Sequence, residues 1–198
     1  MSGAVVIPLR SQPGPGRPER SDAELVEDAL GGSRQAFERL YRRHAPMAFG
    51  MAHRLLAGRD VDDTVQDAFV TAWERLDRLD DPQAFARWLG TIVVNSARRR
   101  IRRRALRDRL LPGHREPADY DRLIGEQASA EVAAELRAVY AVLNRLSADA
   151  RLAIVLRRVE GMTIPEVADA MGRSPATVKR RLREAEDAVA SFAAGRER

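Results

Sequence analysis

The chain contains no cysteine. That excludes disulfides, thiolate nucleophiles and cysteine-ligated zinc together. Its three histidines, His44, His53 and His114, are scattered, with neither a carboxylate nor a second histidine at ligand spacing, so the pattern offers no metal site. No phosphate-cradling glycine loop and no nucleophile elbow occurs, and Gly31-Gly32 reads as a helix stop. An enzyme is therefore the least supported class, and no cofactor is implied. Long apolar runs are also missing. Ala4 to Leu9 is too short for a secretion signal and contains Pro8, and nothing approaches the roughly 20 apolar residues of a membrane-spanning helix. The expected location is the cytoplasm, without membrane insertion. Aromatics are sparse at 5%. Lysine is almost absent: Lys179 stands alone among 34 basic residues, and the others are arginines, whose planar fork suits phosphate and guanine.

What is present is segregated charge. The net charge is +5, but Asp60 to Asp81 holds eight acidic residues against Arg75 and Arg78, while Arg98 to Arg109 holds eight arginines against Asp108 alone. Two kinds of partner surface follow, a basic one for phosphates and an acidic one for something cationic. A length of 198 residues suits one or two domains with a real core.

The first 20 residues carry four prolines and three glycines without apolar periodicity and read as a disordered tail. Ser21-Asp-Ala-Glu24 is a capping box that opens a helix stopped by Gly31-Gly32. A second helix starts after Ser33, with Phe37, Leu40, Tyr41 and Ala48 at helical spacing, and Pro46 should kink or break it. A third opens at Asp60 or Val61 and carries Val65, Phe69, Ala72, Trp73 and Leu76 at steps of three and four. Phe69 and Trp73 read as core. A fourth starts at Asp81-Pro82. Residues 106–129, with Pro112-Gly113 and Pro117, read as a linker. Further helices follow over Glu131 to Leu146 and from Ser147 to Gly161. No strand-like alternation appears. The fold expected is all-α, two helical domains joined by a flexible linker.

Two of these helices carry DNA chemistry. At about 100° per residue, Leu89, Val93, Ala97 and Ile101 share one face of the fourth helix, and Asn95, Arg98, Arg99 and Arg102 line the opposite one. Folding needs the first face; it does not need an asparagine followed by arginines on the second. Trp88, one turn from Phe85 and Ile92, reads as core. Near the C-terminus, Thr163-Ile-Pro-Glu166 is a second capping box, Gly172 permits a tight turn, and Ser174-Pro175 caps and starts a final helix. On it Val178, Leu182 and Ala185 face inward; Ala176, Lys179, Arg180 and Arg183 face outward, with Thr177 and Arg181 at the flanks. This is a helix-turn-helix with a basic reading face. Alone, it also fits the response-regulator type of transcription activator. That type would bring strands and a phosphoryl-accepting aspartate, and the N-terminal half has no strands. An autonomous helix-turn-helix regulator and a protein adaptor using the acidic helix remain the alternatives.

The chain resembles the extracytoplasmic-function (ECF) group of sigma factors of the sigma-70 family. Asp62-Asp-Thr-Val-Gln-Asp-Ala-Phe-Val-Thr-Ala-Trp73 looks like region 2.2, Phe85 through Asn95 looks like regions 2.3 and 2.4, and Leu146 through Arg183 looks like region 4. The family usually has leucine where Thr64 stands. The resemblance implies a tail at 1–20, region 2 at 21–105, a linker at 106–129 and region 4 at 130–198. It implies that Asp62, Asp63, Gln66 and Asp67 meet the β′ clamp helices of core RNA polymerase, while region 4 touches the β flap. It further implies that Asn95 and the loop from Leu79 to Gln83 hold an unstacked base of the −10 element, and that Arg98, Arg99, Arg102 and Arg103 bind phosphates. The −35 element would fall to the helix-turn-helix residues Ser174, Thr177, Lys179, Arg180, Arg181 and Arg183. Promoter DNA and an anti-sigma protein complete the implied partners.

Overall fold

A computed structural model describes residues 20–110 and 129–196; the expected tail up to residue 19, His114 and most of the expected linker lie outside the described residues. The described residues form eight α-helices and two short 3-10 turns, with no strand among them. In chain order these are α1 (Asp22–Leu30), α2 (Arg34–Leu56), α3 (Val61–Glu74) and α4 (Phe85–Leu110), then α5 (Ala130–Leu143), α6 (Ala148–Arg158), α7 (Ile164–Met171) and α8 (Pro175–Arg196).

Local chemistry sets most of the boundaries. Ser21 and Glu24 close the expected capping box, and Gly32 takes a positive φ of 93° that L-residues avoid. Ser33 caps α2 by accepting from the Ala36 amide. Helix α3 starts at Val61, as expected. Asp60 makes no side-chain cap; it sits at φ 52° and turns its carboxylate to Arg104. Its carbonyl instead accepts from both the amide (3.0 Å) and the hydroxyl (2.6 Å) of Thr64. That satisfies the hydroxyl of a fully buried threonine, which explains how a polar residue is accommodated there. Before α4 the chain makes a 3-10 turn, Pro82–Ala84, in which the Asp81 carboxylate accepts from the Gln83 amide. Helix α4 continues to Leu110, beyond the expected linker start at residue 106. Pro46 does not break α2, which runs through it for 23 residues. The packing of Leu40, Ala48, Ala52 and Leu55, all fully buried, holds the helix together across the missing donor.

In the N-terminal domain α2 packs against α1, α3 and α4. The buried faces are those the periodicity marks: Val65, Ala68, Phe69 and Ala72 of α3, and Phe85, Leu89, Val93 and Ala97 of α4. Truncating a large, fully buried side chain here costs about 2–5 kcal/mol. In the C-terminal domain α6 and α8 pack face to face, with α5 and α7 beside them, around Leu152, Leu156, Val167, Met171 and Val178. The domains also dock on each other: α4 lies against α6 and α7, and α2 against α6. Arg54 of α2 pairs with Glu160 (2.9 Å between Nη2 and Oε2), and the Tyr140 hydroxyl donates to the Arg54 carbonyl at 3.4 Å. The buried apolar residues of both domains form one continuous cluster.

Candidate nucleic-acid and polymerase interfaces

Helix α3 carries the acidic run on its outer side. Asp62 and Asp63 occupy its first turn, where the helix dipole favours anions. The acidic and basic runs turn out to face each other. Arg100 of α4 reaches Asp67 at 2.6 Å and Asp63 at 3.4 Å, yet the two carboxylates stay 59% and 68% exposed. Exposed pairs of this kind contribute about 0–1 kcal/mol each, so they align α3 with α4 without removing the acids from solvent.

Along the other flank of α3 runs a feature the sequence reading missed. Phe37, Tyr41 and Phe49 of α2 and Val65, Phe69, Val70 and Trp73 of α3 line an open hollow of about 650 Å³, with Asp62, Gln66 and Glu74 at its rim. Phe69 is buried as expected, but Trp73 is 40% exposed; it is a groove wall rather than core. Its indole packs edge-on against Phe37, 4.9 Å between ring centroids. Two of the expected polymerase contacts, Asp62 and Gln66, therefore border an apolar groove. The signal was in the sequence: Asp62, Gln66, Val70 and Trp73 fall within about 80° of one helical arc, beside the core stripe.

Helix α4 presents its expected polar face unevenly. Asn95 is half-buried; its side-chain amide donates to the Thr91 carbonyl at 3.0 Å. Arg99 and Arg103 are exposed, and Arg99 donates to the Ser96 hydroxyl at 3.0 Å. Arg102 is largely exposed and approaches Asp149 of α6 at 3.3 Å. Arg98 is buried at 8% exposure under the C-terminal domain. It pairs with Asp149 (3.1 Å from Nε) and donates from Nη2 to the Met171 carbonyl at 2.7 Å. Burial lowers its pKa from the usual arginine value against the pull of Asp149, and Arg173 and Arg102 lower it further. The loop from Leu79 to Gln83 is largely exposed. Trp88 is half-buried and packs on the core beside Phe85.

The helix-turn-helix is α7 and α8. Thr163 and Glu166 close the capping box of α7, and Gly172 ends it at φ 57°. The Ser174 hydroxyl accepts from the Thr177 amide and bonds its hydroxyl at 3.0 Å. Val178, Leu182 and Ala185 are buried, while Lys179, Arg180 and Arg183 are exposed, as the pattern requires. Arg181 is half-buried and pairs with Glu184 at 2.7 Å. Among the described residues no cluster of histidine, aspartate and glutamate could hold a metal ion, and no helix is long and apolar enough to cross a membrane.

The comparisons with known proteins follow the same two-part division. Residues 40–107 match the family model Sigma-70 region 2, and residues 136–189 match Sigma-70, region 4. The RNA polymerase sigma factor CnrH of Cupriavidus metallidurans is 37% identical over 175 residues, covering 83% of this chain and 90% of that protein. The ECF RNA polymerase sigma factor SigM of Mycobacterium tuberculosis is 34% identical over 172 residues, covering 86% and 83%. A solved structure of CnrH in complex with the cytosolic domain of CnrY superposes with a TM-score of 0.58 at 30% identity, over 88% of this chain and 97% of that one. With the acidic α3, the arginine-faced α4 and the α7–α8 helix-turn-helix in the order of regions 2 and 4, the chain belongs to the ECF sigma factors of the sigma-70 family.

Proposed function

We propose that this chain directs core RNA polymerase to promoters, with the N-terminal domain melting and holding the −10 element and the C-terminal domain reading the −35 element. One observation carries the reading: a single chain presents two basic helices of different type, α4 and the exposed Lys179–Arg180–Arg183 face of α8, on two domains. Arg180 and its neighbours can fork onto guanine edges, at about 1–3 kcal/mol of discrimination per good pair. Arg98, Arg99, Arg102 and Arg103 supply salt-sensitive phosphate contacts. Asn95 and the loop from Leu79 to Gln83 receive a base leaving the stack, which offsets part of the few kcal/mol that unstacking costs.

The acidic face of α3, through Asp62, Asp63, Gln66 and Asp67, docks on the β′ clamp helices, and the C-terminal domain touches the β flap. The protein is then an initiation factor working in the cytoplasm beside the polymerase that does the chemistry. An anti-sigma protein controls it; CnrH, its relative, is known in complex with a domain of CnrY. Polymerase holds both DNA-binding domains on one scaffold, which makes the second promoter contact intramolecular and raises its effective concentration.

Reconstituted transcription tests the reading: core bacterial polymerase with and without this protein on a pool of genomic promoter fragments. Protein-dependent starts sharing two upstream motifs are expected. Sequence-specific binding without core, and no new starts with it, would replace the reading with an autonomous helix-turn-helix regulator.

A further inference from the structure

One flank of the reading helix is tied to its neighbour instead of facing outward. At about 100° per residue, Thr177, Arg181 and Glu184 fall within about 60° of one another. They lie between the buried Val178, Leu182 and Ala185 and the exposed Lys179, Arg180 and Arg183. Glu184 uses both of its oxygens there. Oε1 accepts from the Ser147 hydroxyl at 3.0 Å, and Oε2 accepts from Arg181 Nη1 at 2.7 Å. Ser147 is the N-cap of α6, and its Oγ also accepts from the Ala150 amide. Glu184 thus sets an anion at the N-terminus of α6, where the helix dipole favours one. The Arg181 bond, joined by that from Ser147, holds its carboxyl below the usual range despite partial burial.

Such a tie matters because apolar packing leaves direction loose. Helices packed side chain into groove scatter by about 15–20° around their preferred crossing angle. Ser174, at the start of α8, lies a little over two turns before Leu182, about 12 Å at 1.5 Å per residue. A swing of about 15° about the crossing moves that end by about 3 Å, whereas a hydrogen bond forms over a range of only about 0.5 Å. Directional bonds beside the apolar contact remove that freedom. Arg181 is held within the tie: its side chain is 32% exposed and its Nε is shut from solvent. On the opposite flank, Arg158 of α6 reaches Glu186, but that pair is the more exposed and contributes less.

We infer that Glu184 is a positioning residue that fixes the direction of α8 on α6 through the Ser147 cap, and that Arg181 serves this tie instead of reading a base. The inference deepens the −35 assignment of the sigma reading and rests on it. Base discrimination then belongs to Lys179, Arg180 and Arg183, and Glu184 acts through them without touching DNA.

The test uses holoenzyme assembled from core bacterial polymerase and the full chain, on a promoter pool randomised over the upstream motif. Transcript sequencing reads the enrichment at each randomised position, and circular dichroism reads helix content. Glu184→Ala, Arg181→Ala and the double variant are compared with Glu186→Ala, which removes the same charge from the opposite flank. Alanine is the better helix former at each site, so α8 persists. Glu184→Ala is expected to lower enrichment about two- to fivefold at several adjacent positions together, because a misdirected helix weakens every base contact it carries. Arg181→Ala should lower the same positions, and the double variant should do no more than Glu184→Ala, since both residues act through one tie. Glu186→Ala should leave the profile close to wild type. A loss confined to one position would make the altered residue a reader, as an arginine on guanine or a glutamate on cytosine is, and would overturn the inference. Equal profiles in Glu184→Ala and Glu186→Ala would also overturn it, leaving charge alone. If Glu184→Ala loses helix content, Ser147→Asp decides: it keeps an N-cap but cannot donate to Glu184, and should flatten the same positions. A wild-type protein that starts no transcripts sinks the sigma reading and this inference with it. A wild-type motif that Glu184→Ala leaves unchanged sinks the positioning role alone.

Discussion

The two arginine-bearing helices were read from sequence by the same logic, but they sit in different surroundings. On α8 the outward basic residues Lys179, Arg180 and Arg183 are exposed. On α4, Arg100 is turned toward Asp63 and Asp67, Arg104 toward Asp60, and Arg98 lies under the C-terminal domain. Helix α8 buries Val178, Leu182 and Ala185 against its own domain, and no other helix covers its basic face among the described residues. A helix between two neighbours has its polar face divided among them, and a helical wheel cannot say which arginine each neighbour takes. The basic face of α8 is thus open to solvent, and that of α4 only in part.

The largest expected effect tests whether the two domains are one cooperative unit. Phe85 is fully buried beside His44 and Trp88, and Phe85→Ala should cost about 3–5 kcal/mol. Because the apolar cores are continuous, thermal unfolding should remain a single transition at lower temperature. A C-terminal transition left at its original temperature would separate the domains and weaken the contrast between α4 and α8.

Next is the reading face. Arg180→Ala should lose about 1–3 kcal/mol of discrimination at one upstream motif and leave protein stability unchanged within about 0.5 kcal/mol. Asn95→Ala should instead lower open-complex formation at the other motif. Permanganate footprinting together with binding competition on mismatched promoters separates the two, and loss of the same motif in both variants would erase the distinction.

The helix starts sharpen the comparison by pH. Hydrogen bonds from the Ser21 backbone and hydroxyl hold the Glu24 carboxyl below the usual range, and bonds from the Thr163 hydroxyl and backbone do the same for Glu166. A depressed folded pKa contributes stability that is complete above the unfolded value, about 4.3, and is lost as pH falls through the lower folded value. The contribution of these two carboxyls should therefore fade as pH falls below about 4.3, and Thr163→Ala should remove the part due to Glu166 while costing about 0.5–2 kcal/mol at neutral pH. Urea melts from pH 3 to 7 measure both; an unchanged slope would remove the capping box from the account.

The smallest stability effect has a large functional one. Val70 is 51% exposed on the groove beside Gln66, so Val70→Asp should change stability by no more than about 0.5 kcal/mol while weakening capture by core polymerase. Equal retention on immobilised core would confine docking to the acidic residues.

Much of this was legible in advance because the signals were local. Capping boxes at Ser21 and Thr163, the glycine turn at Gly172 and the buried Val178–Leu182–Ala185 series depend on neighbours within four residues, and each appears as read. Misreadings came where distant packing outweighed a local preference. Pro46, expected to kink or break α2, does not break it, in a helix packed against α1, α3, α4 and α6. Trp73 lies on the edge of the core stripe, and whether that edge is covered depends on which side α2 approaches.

The sequence by itself determined the helical class and the division into a domain with an acidic and an arginine-faced helix and a domain with a helix-turn-helix. Periodicity, capping chemistry and charge are properties of short segments. Only the tertiary structure decided that the acidic and basic runs partly neutralise each other, that an apolar groove opens beside Gln66, and that Asp149 gathers Arg98, Arg102 and Arg173. Those outcomes join side chains tens of residues apart, and in such pairs geometry, not composition, decides which cation meets which anion.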